Sequence, residues 1–340
     1  VNSEDRFVDG LRALLPGGGP VLVGPGDDAA VLERAPGLLV ATTDMLVEGV
    51  DFLPAEDPER LGRRAAAVNL SDFAAMGAEP EALLLAIGFR RERGPEYPLA
   101  ITRGAAARGG EFGARLVGGD LSDAPLTIVT IALWGRPTGR PLTRSGAKPG
   151  DAVFLSGRPG EAAAGLVLAR RLAAFAEQGA PPTPRFPGLT ADDEKDLLAA
   201  YRDPAPRIAL GAALSRDELA TACIDVSDGV GVDAGRLARA SDVRLVLERL
   251  RLPVTPALRA FGELESKDPL ELVLSGGDDY ELLFTAPAGR ADRVEAAGTA
   301  LGIRMTRVGR VEAGSGAVLE EAGGVRDVAA LGYDHFRRAS

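Results

Sequence analysis

Four apolar stretches in this 340-residue chain run into glycine or threonine and then aspartate: LLVATTD ending at Asp44, RLVGGD at Asp120, CIDVSDG around Asp225 and Asp228, and LVLSGGDDYE around Asp278 and Asp279. A further acidic pair, Asp27 and Asp28, sits in VLVGPGDDAAV. Short β-rich runs followed by glycine read as strands ending in tight loops, so these acids are expected just beyond strand ends, where α/β folds gather their chemistry. One such aspartate would be a turn residue. Their recurrence, with almost no other catalytic residue type available, points to a shared polycarboxylate site that needs cations, because converging carboxylates otherwise repel and raise each other's pKa.

A chain of this length is expected to form two domains with substantial cores. The stretch GRPTGRPLTRSGAKPG at 135–150, dense in Gly, Pro and basic residues, divides it into residues 1–138 and 139–340. The first half reads as mixed α/β, with strands at 20–24, 38–43, 83–89 and 125–134 and helices near 4–15, 58–76 and 96–113. The second carries strands at 151–156, 222–226, 243–249, 280–286 and 303–311, with helices near 160–178, 190–202, 205–214, 229–240 and 289–301. Segment 179–189, GAPPTPRFPGL, reads as an extended loop.

Charge and scarcity narrow the function. A formal charge of −10, from 49 acidic against 39 basic side chains, argues against nucleic acid or an anionic membrane as the partner. No apolar run approaches the roughly 20 residues of a membrane span, and the N-terminus VNSEDRFVDG lacks a signal pattern, so a cytoplasmic location is expected. The single cysteine, Cys223, and single histidine, His335, exclude a Cys/His zinc cluster. Cys223 lies in an apolar run and reads as a buried, inert thiol; any serine–histidine–acid triad would have to be built around His335 alone.

GPGDDA at 24–29 fits the G-x-G-x-x-G/A spacing formally. Two aspartates would occupy the turn that accepts a pyrophosphate, however, and Pro36-Gly37 leaves little room for the phosphate-facing helix. It reads instead as a plain turn or a metal-ligating one. The P-loop pattern and the kinase H-R-D element are absent. In the helix over 58–76, at about 100° per residue, Asp72 lies about 20° from Leu61, on a face shared with Ala65, Val68 and Asn69. A carboxylate on a burying face needs a partner: a hydrogen bond, a salt bridge or, beside the other aspartates, a metal. Arg144 and Lys148 are the best local cations for a phosphate chain, against their plain reading as solvated linker charges. Ser227 and Asp228 mark a strand-to-helix junction where a simple N-cap is expected. Asp225, two residues earlier, points to the same side of the strand as Ser227, which a cap does not explain.

Oxygen-only ligands with several carboxylates select Mg²⁺ or Ca²⁺ over zinc, and Mg²⁺ takes phosphate oxygens as its remaining ligands. The chemistry implied is phosphoryl transfer from a nucleotide, in which positioning and charge neutralisation carry the catalysis and no catalytic nucleophile is required. The motifs GDDAAV (26–31), TTDMLVEGVDF (42–52), AVNLSDFAAMGAEP (67–80), GGDLS (118–122), LTRSGAKPGD (142–151), DVSDGV (225–230), SGGDDYELLF (275–284) and GYDHF (332–336) closely resemble the thiamine-monophosphate kinase family, in order and over nearly the whole chain.

The resemblance implies a two-domain α/β (α+β) fold of the aminoimidazole-ribonucleotide-synthetase-like superfamily, with an N-terminal mixed-sheet domain that binds ATP and Mg²⁺ and forms a homodimer, and a C-terminal α/β domain. It implies transfer of the γ-phosphoryl group of ATP, the co-substrate, to thiamine monophosphate. It also implies Mg²⁺ ligands at Asp28, Thr42, Thr43, Asp44, Asp72, Asp120, Asp225 and Asp228, nucleotide contacts at Gly119, Asp120, Arg144 and Ser227, and substrate contacts at Asp51, Asp278 and Tyr333, the last by stacking on a thiamine ring. Asp51 stands where the family usually has a histidine similar to a substrate-phosphate contact, and Asp278 where it commonly has Glu. Because a carboxylate repels phosphate, Asp51 is expected to act through a bridging cation or water. Two other readings are another ATP-using synthetase of the superfamily with a purine-pathway amidine substrate, and a non-catalytic metal- or nucleotide-binding protein.

Overall fold

The computed structural model describes residues 21–23, 27–33, 37–177 and 186–333. The helix expected at 4–15, most of the Pro-rich loop and His335 lie outside them. A first sheet takes β1 (Val21–Val23), β2 (Ala30–Glu33), β3 (Leu38–Val47), β4 (Ala78–Phe89), β5 (Arg115–Asp123) and β6 (Ile128–Pro137) in the order β1-β2-β3-β6-β4-β5. A second takes β7 (Asp151–Ser156), β8 (Ala222–Val226), β9 (Arg244–Glu248), β10 (Glu281–Pro287), β11 (Met305–Glu312), β12 (Gly316–Glu321) and β13 (Gly324–Asp327) in the order β13-β12-β9-β11-β7-β10-β8. Between Pro137 and Asp151 runs the Gly- and Pro-rich connection.

Alternation in the first sheet is that of a sheet with one covered face. Leu83, Leu85 and Ile87 of β4 and Val129, Ile131 and Leu133 of β6 are buried beneath α1 (Pro58–Ala75) and α2 (Glu96–Glu111). Helix α1 starts where the Asp57 carboxylate accepts the Arg60 N–H, with Pro58 in its first turn. The two helices touch backbone to backbone: a Cβ on Gly62 would stand 1.9 Å from the Ile101 carbonyl oxygen, and one on Gly104 1.9 Å from that of Glu59. The other face of the sheet is open, with Met45 55% and Leu84 41% exposed.

Around the second sheet lie α3 (Glu161–Glu177), α4 (Ala191–Arg202), α5 (Ile208–Arg216), α6 (Val230–Ser241), α7 (Pro256–Glu265), α8 (Pro269–Ser275) and α9 (Ala291–Ala300). Its central strands are covered on both sides. Val153 and Leu155 of β7, Ile224 of β8 and Leu283 of β10 join a core with α3, α4, α6, α7 and α8. Ala152, Phe154, Cys223, Leu282 and Phe284, from the alternate positions, join the core of α1, α5 and the first sheet. Helix α1 is thus packed between two sheets, and this sets Ser71 against Asp225, 154 residues away.

Two sequence expectations are corrected here. Asp44 and Asp120 lie inside strands, not beyond their ends: β3 runs on to Val47 because Met45, Leu46 and Val47 keep pairing with Thr130, Val129 and Ile128. The apolar run before Asp278 is helix α8, because Asp268 caps it through the Leu270 N–H and Pro269 opens it, and a short apolar run by itself fits helix and strand alike. Strands β2, β12 and β13 and helix α7 were also not among the expected elements.

Candidate active site

A cavity of about 960 Å³ opens between the two units, walled by β3, α1, α3, the β8–α6 junction and the loop 276–280. At its acidic end, Asp28 from the turn before β2, Asp72 from α1 and Asp225 from β8 bring carboxylate oxygens within 4.8 Å of one another. Ser71 Oγ donates to Asp225 Oδ2 at 2.7 Å, and Thr42 Oγ1 to Asp72 Oδ2 at 2.5 Å. Asp44 shares the Thr42 side of β3, its N–H held by Asn69 Oδ1 at 3.0 Å. Its Oδ2 is buried without a hydrogen-bond partner among the described residues.

Burial is the first cause of unusual titration here, and the neighbouring carboxylates are the second. Asp72 is pushed well above the usual carboxylate range by burial and then by Asp44, Asp225 and Asp28; Asp225 is raised by burial and then by Asp28. Asp44 is raised to about 6 by burial, against which its hydrogen bond with Asp72 works. A structural carboxylate of this depth would be matched by donors. An oxygen-only donor set with an orphaned buried oxygen instead fits a hard divalent cation.

Around the cluster, cations are already committed. Arg144 gives Nε to Asp28 Oδ2 at 3.1 Å and Nη2 to Oδ1 at 2.7 Å, while its N–H binds Asp27 Oδ1 at 3.0 Å. Burial and then Asp28 lift Asp27 to about 6. Asp228 takes the Arg236 guanidinium, which it shares with Asp233 at 2.9 Å. Asp233 rises to about 7 through burial and then the Asp228 charge. Ser227 lines the cavity beside it, its carbonyl accepting the Asp278 N–H at 2.8 Å.

Asp51, Asp278, Tyr280 and Tyr333 also line the cavity, with an apolar stretch of Leu46, Val68, Leu166, Val167 and Leu272 and with Arg170, Arg239 and Ser275. Asp51 Oδ2 accepts the N–H of Val47 at 2.8 Å, so this carboxylate anchors the turn that ends β3. The exposed Tyr333 is tied by its N–H to the Asp228 carbonyl at 3.0 Å.

Not every expected residue is brought together. Met45, Thr130, Ala86 and Asp120 form one row across β3, β6, β4 and β5. Asp120 therefore stands three strand spacings, about 14 Å, from β3, exposed on the open face. Gly119 sits in the same strand because a Cβ there would come 1.9 Å from the Leu85 carbonyl oxygen. Thr43 gives its hydroxyl to the Ile131 carbonyl at 2.8 Å, outside the cluster. Lys148 lines a separate cavity of about 310 Å³. Cys223 is fully buried, and burial pushes its thiol up, as an inert core residue requires. Arg64, Asp233, Arg236 and Tyr280 went unread in the sequence; only the i, i+3 spacing of Asp233 and Arg236 on one helix was a signal.

Comparison with known proteins agrees with both sheets. Residues 26–136 match the AIR synthase related protein N-terminal domain and residues 148–321 its C-terminal domain. The chain is 36% identical over 327 residues to the thiamine-monophosphate kinase of Escherichia coli, covering 93% of this chain and 92% of that one. It is 37% identical over 324 residues to that of Salmonella typhimurium, with the same coverage. A solved structure of AaThiL complexed with AMPPCP and TMP matches with a TM-score of 0.82 and 31% identity over 98% of this chain and 97% of that one. Similarity of this extent, running through both sheets and the cavity between them, shows that the chain belongs to the thiamine-monophosphate kinase family.

Proposed function

We propose that this protein transfers the γ-phosphoryl group of ATP to thiamine monophosphate, releasing ADP and thiamine diphosphate. An oxygen of the acceptor phosphate forms the new P–O bond as the bond from the γ-phosphorus to the β–γ bridging oxygen breaks. The observation that carries this reading is the convergence of Asp28, Asp72 and Asp225, with the orphaned Asp44 Oδ2 beside them, in a cavity of about 960 Å³. Asp28, Asp44, Asp72, Asp225 and Asp228 would hold Mg²⁺, with Thr42 orienting Asp72. Bound there, Mg²⁺ supplies neutralisation of the charge on the phosphate oxygens.

The chain's own residues do the positioning. Arg144 and Ser227 stand at the acidic end, where a triphosphate would lie, with the Arg144 fork paired there to Asp28. Asp278 and Tyr333 face the acceptor side, and the apolar wall between them suits its rings. No side chain is needed as nucleophile, since the attacking oxygen is the substrate's own. The open face of the first sheet, with Met45 and Leu84 exposed, fits a two-fold partner of the same chain, and Asp120 lies on that face. Among the described residues no helix is long and apolar enough to cross a membrane.

The test is product analysis with γ-labelled ATP, thiamine monophosphate and Mg²⁺. Label in thiamine diphosphate, with equimolar ADP and only when a divalent cation is present, is the expected result. Label appearing solely as orthophosphate would reject the kinase reading, and unconsumed ATP with any acceptor would favour a binding protein.

A further inference from the structure

Arg64, in the middle of α1, is the largest fully buried side chain among the described residues. A buried guanidinium is costly unless its donors are matched, and this one is spent on the cavity wall. Its Nη2 pairs with Asp278 Oδ2 at 2.9 Å and reaches the Asp51 carbonyl at 3.5 Å. Nη1 donates to the Tyr201 carbonyl, and the guanidinium lies 4.4 Å from the centre of the Tyr201 ring. From the other side, the Tyr280 hydroxyl donates to Asp278 Oδ1 at 2.9 Å. Each oxygen of Asp278 is therefore held, while 31% of the side chain stays open.

The backbone at this point is forced as well. Asp278 and Tyr280 both adopt left-handed conformations, with φ of 68° and 51°. Non-glycine residues keep such angles only where their surroundings over-determine them, and such sites cluster where ligands are held. Here the Asp278 and Tyr280 N–H groups bind the Ser227 and Val226 carbonyls, each at 2.8 Å, and Asp279 accepts the Gly160 N–H at 2.8 Å beside the start of α3. The guanidinium adds a tie from the first unit to this loop of the second.

We propose that Arg64 is a positioning residue for the phosphoryl acceptor. With Tyr280 it fixes the rotation of the Asp278 carboxylate, so that the edge facing the cavity presents a stationary anion to the cationic, N–H-bearing rings of the acceptor. Through the Asp51 carbonyl it holds the turn after β3 at the same point. The proposal rests on the kinase reading above, and Arg64 touches neither the nucleotide end nor the carboxylate cluster.

Arg64→Lys keeps the charge but loses the fork, so one ammonium cannot serve Asp278 and the Tyr201 carbonyl in the same geometry. The expected result is a rise of about tenfold or more in KM for thiamine monophosphate, with KM for ATP within about twofold. Tyr280→Phe removes the opposite hold and leaves the ion pair, and should raise the same KM about threefold with melting unchanged. An ion pair that merely stabilises the fold would lower the melting temperature of Arg64→Lys and leave the KM of the folded enzyme alone. Unchanged acceptor KM in both variants, or an equal rise for ATP and acceptor, overturns the proposal. Should Arg64→Lys fail to fold, Tyr280→Phe decides by the same criteria. A wild-type protein that makes no thiamine diphosphate overturns the kinase reading, and this one with it.

Discussion

Replacing Asp44 by Asn asks whether the acidic cluster is arranged for cations or for folding. Burial raises the Asp44 carboxyl from 3.8 to about 6, so in metal-free protein its ionisation opposes folding. Below pH 3.8 the group is protonated in folded and unfolded chains alike and contributes nothing. Between 3.8 and about 6 the unfolded chain ionises while the folded one resists, and above about 6 the full penalty stands. At about 1.36 kcal/mol per tenfold, that penalty is about 3 kcal/mol. The shift is a net one in which the hydrogen bond with Asp72 already opposes burial, so Asp44→Asn should be more stable by about 3 kcal/mol near neutral pH. An unfolding entropy of about 2.1 cal/mol/K per residue over the 340 residues turns this into a melting temperature higher by about 4 °C. The assay is thermal unfolding in chelator across the pH range from about 4 to about 8. The variant and wild type should melt together at the acid end, separate through the window from 3.8 to about 6, and stay apart above it. Added Mg²⁺ should stabilise the wild type more than the variant, and the variant should lose phosphoryl transfer. If Asp44→Asn melts lower in chelator by the equivalent of about 2 kcal/mol, Asp44 serves the fold and the cation argument is wrong; a difference that ignores pH would refute the burial argument.

Two further outcomes are expected. Asp51→Ala removes the acceptor for the Val47 N–H and should cost about 1 kcal/mol in a denaturant titration while raising KM for thiamine monophosphate; a stability loss with both KM and kcat intact confines Asp51 to the turn. Light scattering at micromolar concentration should show a dimer for the wild type and a monomer for Leu84→Arg, which plants a charge in the open sheet face; a monomeric wild type would sink the dimer proposal.

Much of the chemistry was legible in the sequence because it depends on residue type. With one cysteine and one histidine in the chain, a metal site had to be built from oxygen, and repeated aspartates at apolar boundaries marked where. Helical phase alone put Asp72 on a burying face, and its carboxylate does accept the Thr42 hydroxyl inside the protein. Periodicity states which face of an element is covered, but not what covers it. That Ser71 and Asp72 meet Asp225 follows from α1 lying between two sheets, a packing fact with no local trace. For the same reason the GGD motif could not reveal that its aspartate sits on an exposed edge strand, three strands from the cluster within one chain. Arg64 reads in sequence as one more helix cation, one of a pair with Arg63, and only the tertiary structure separates them. Arg63 reaches Glu111 and Asp203 at the surface, whereas Arg64 is closed in against Tyr201 and Asp278, because its buried position is defined by a strand turn and a loop that come to it from elsewhere in the chain.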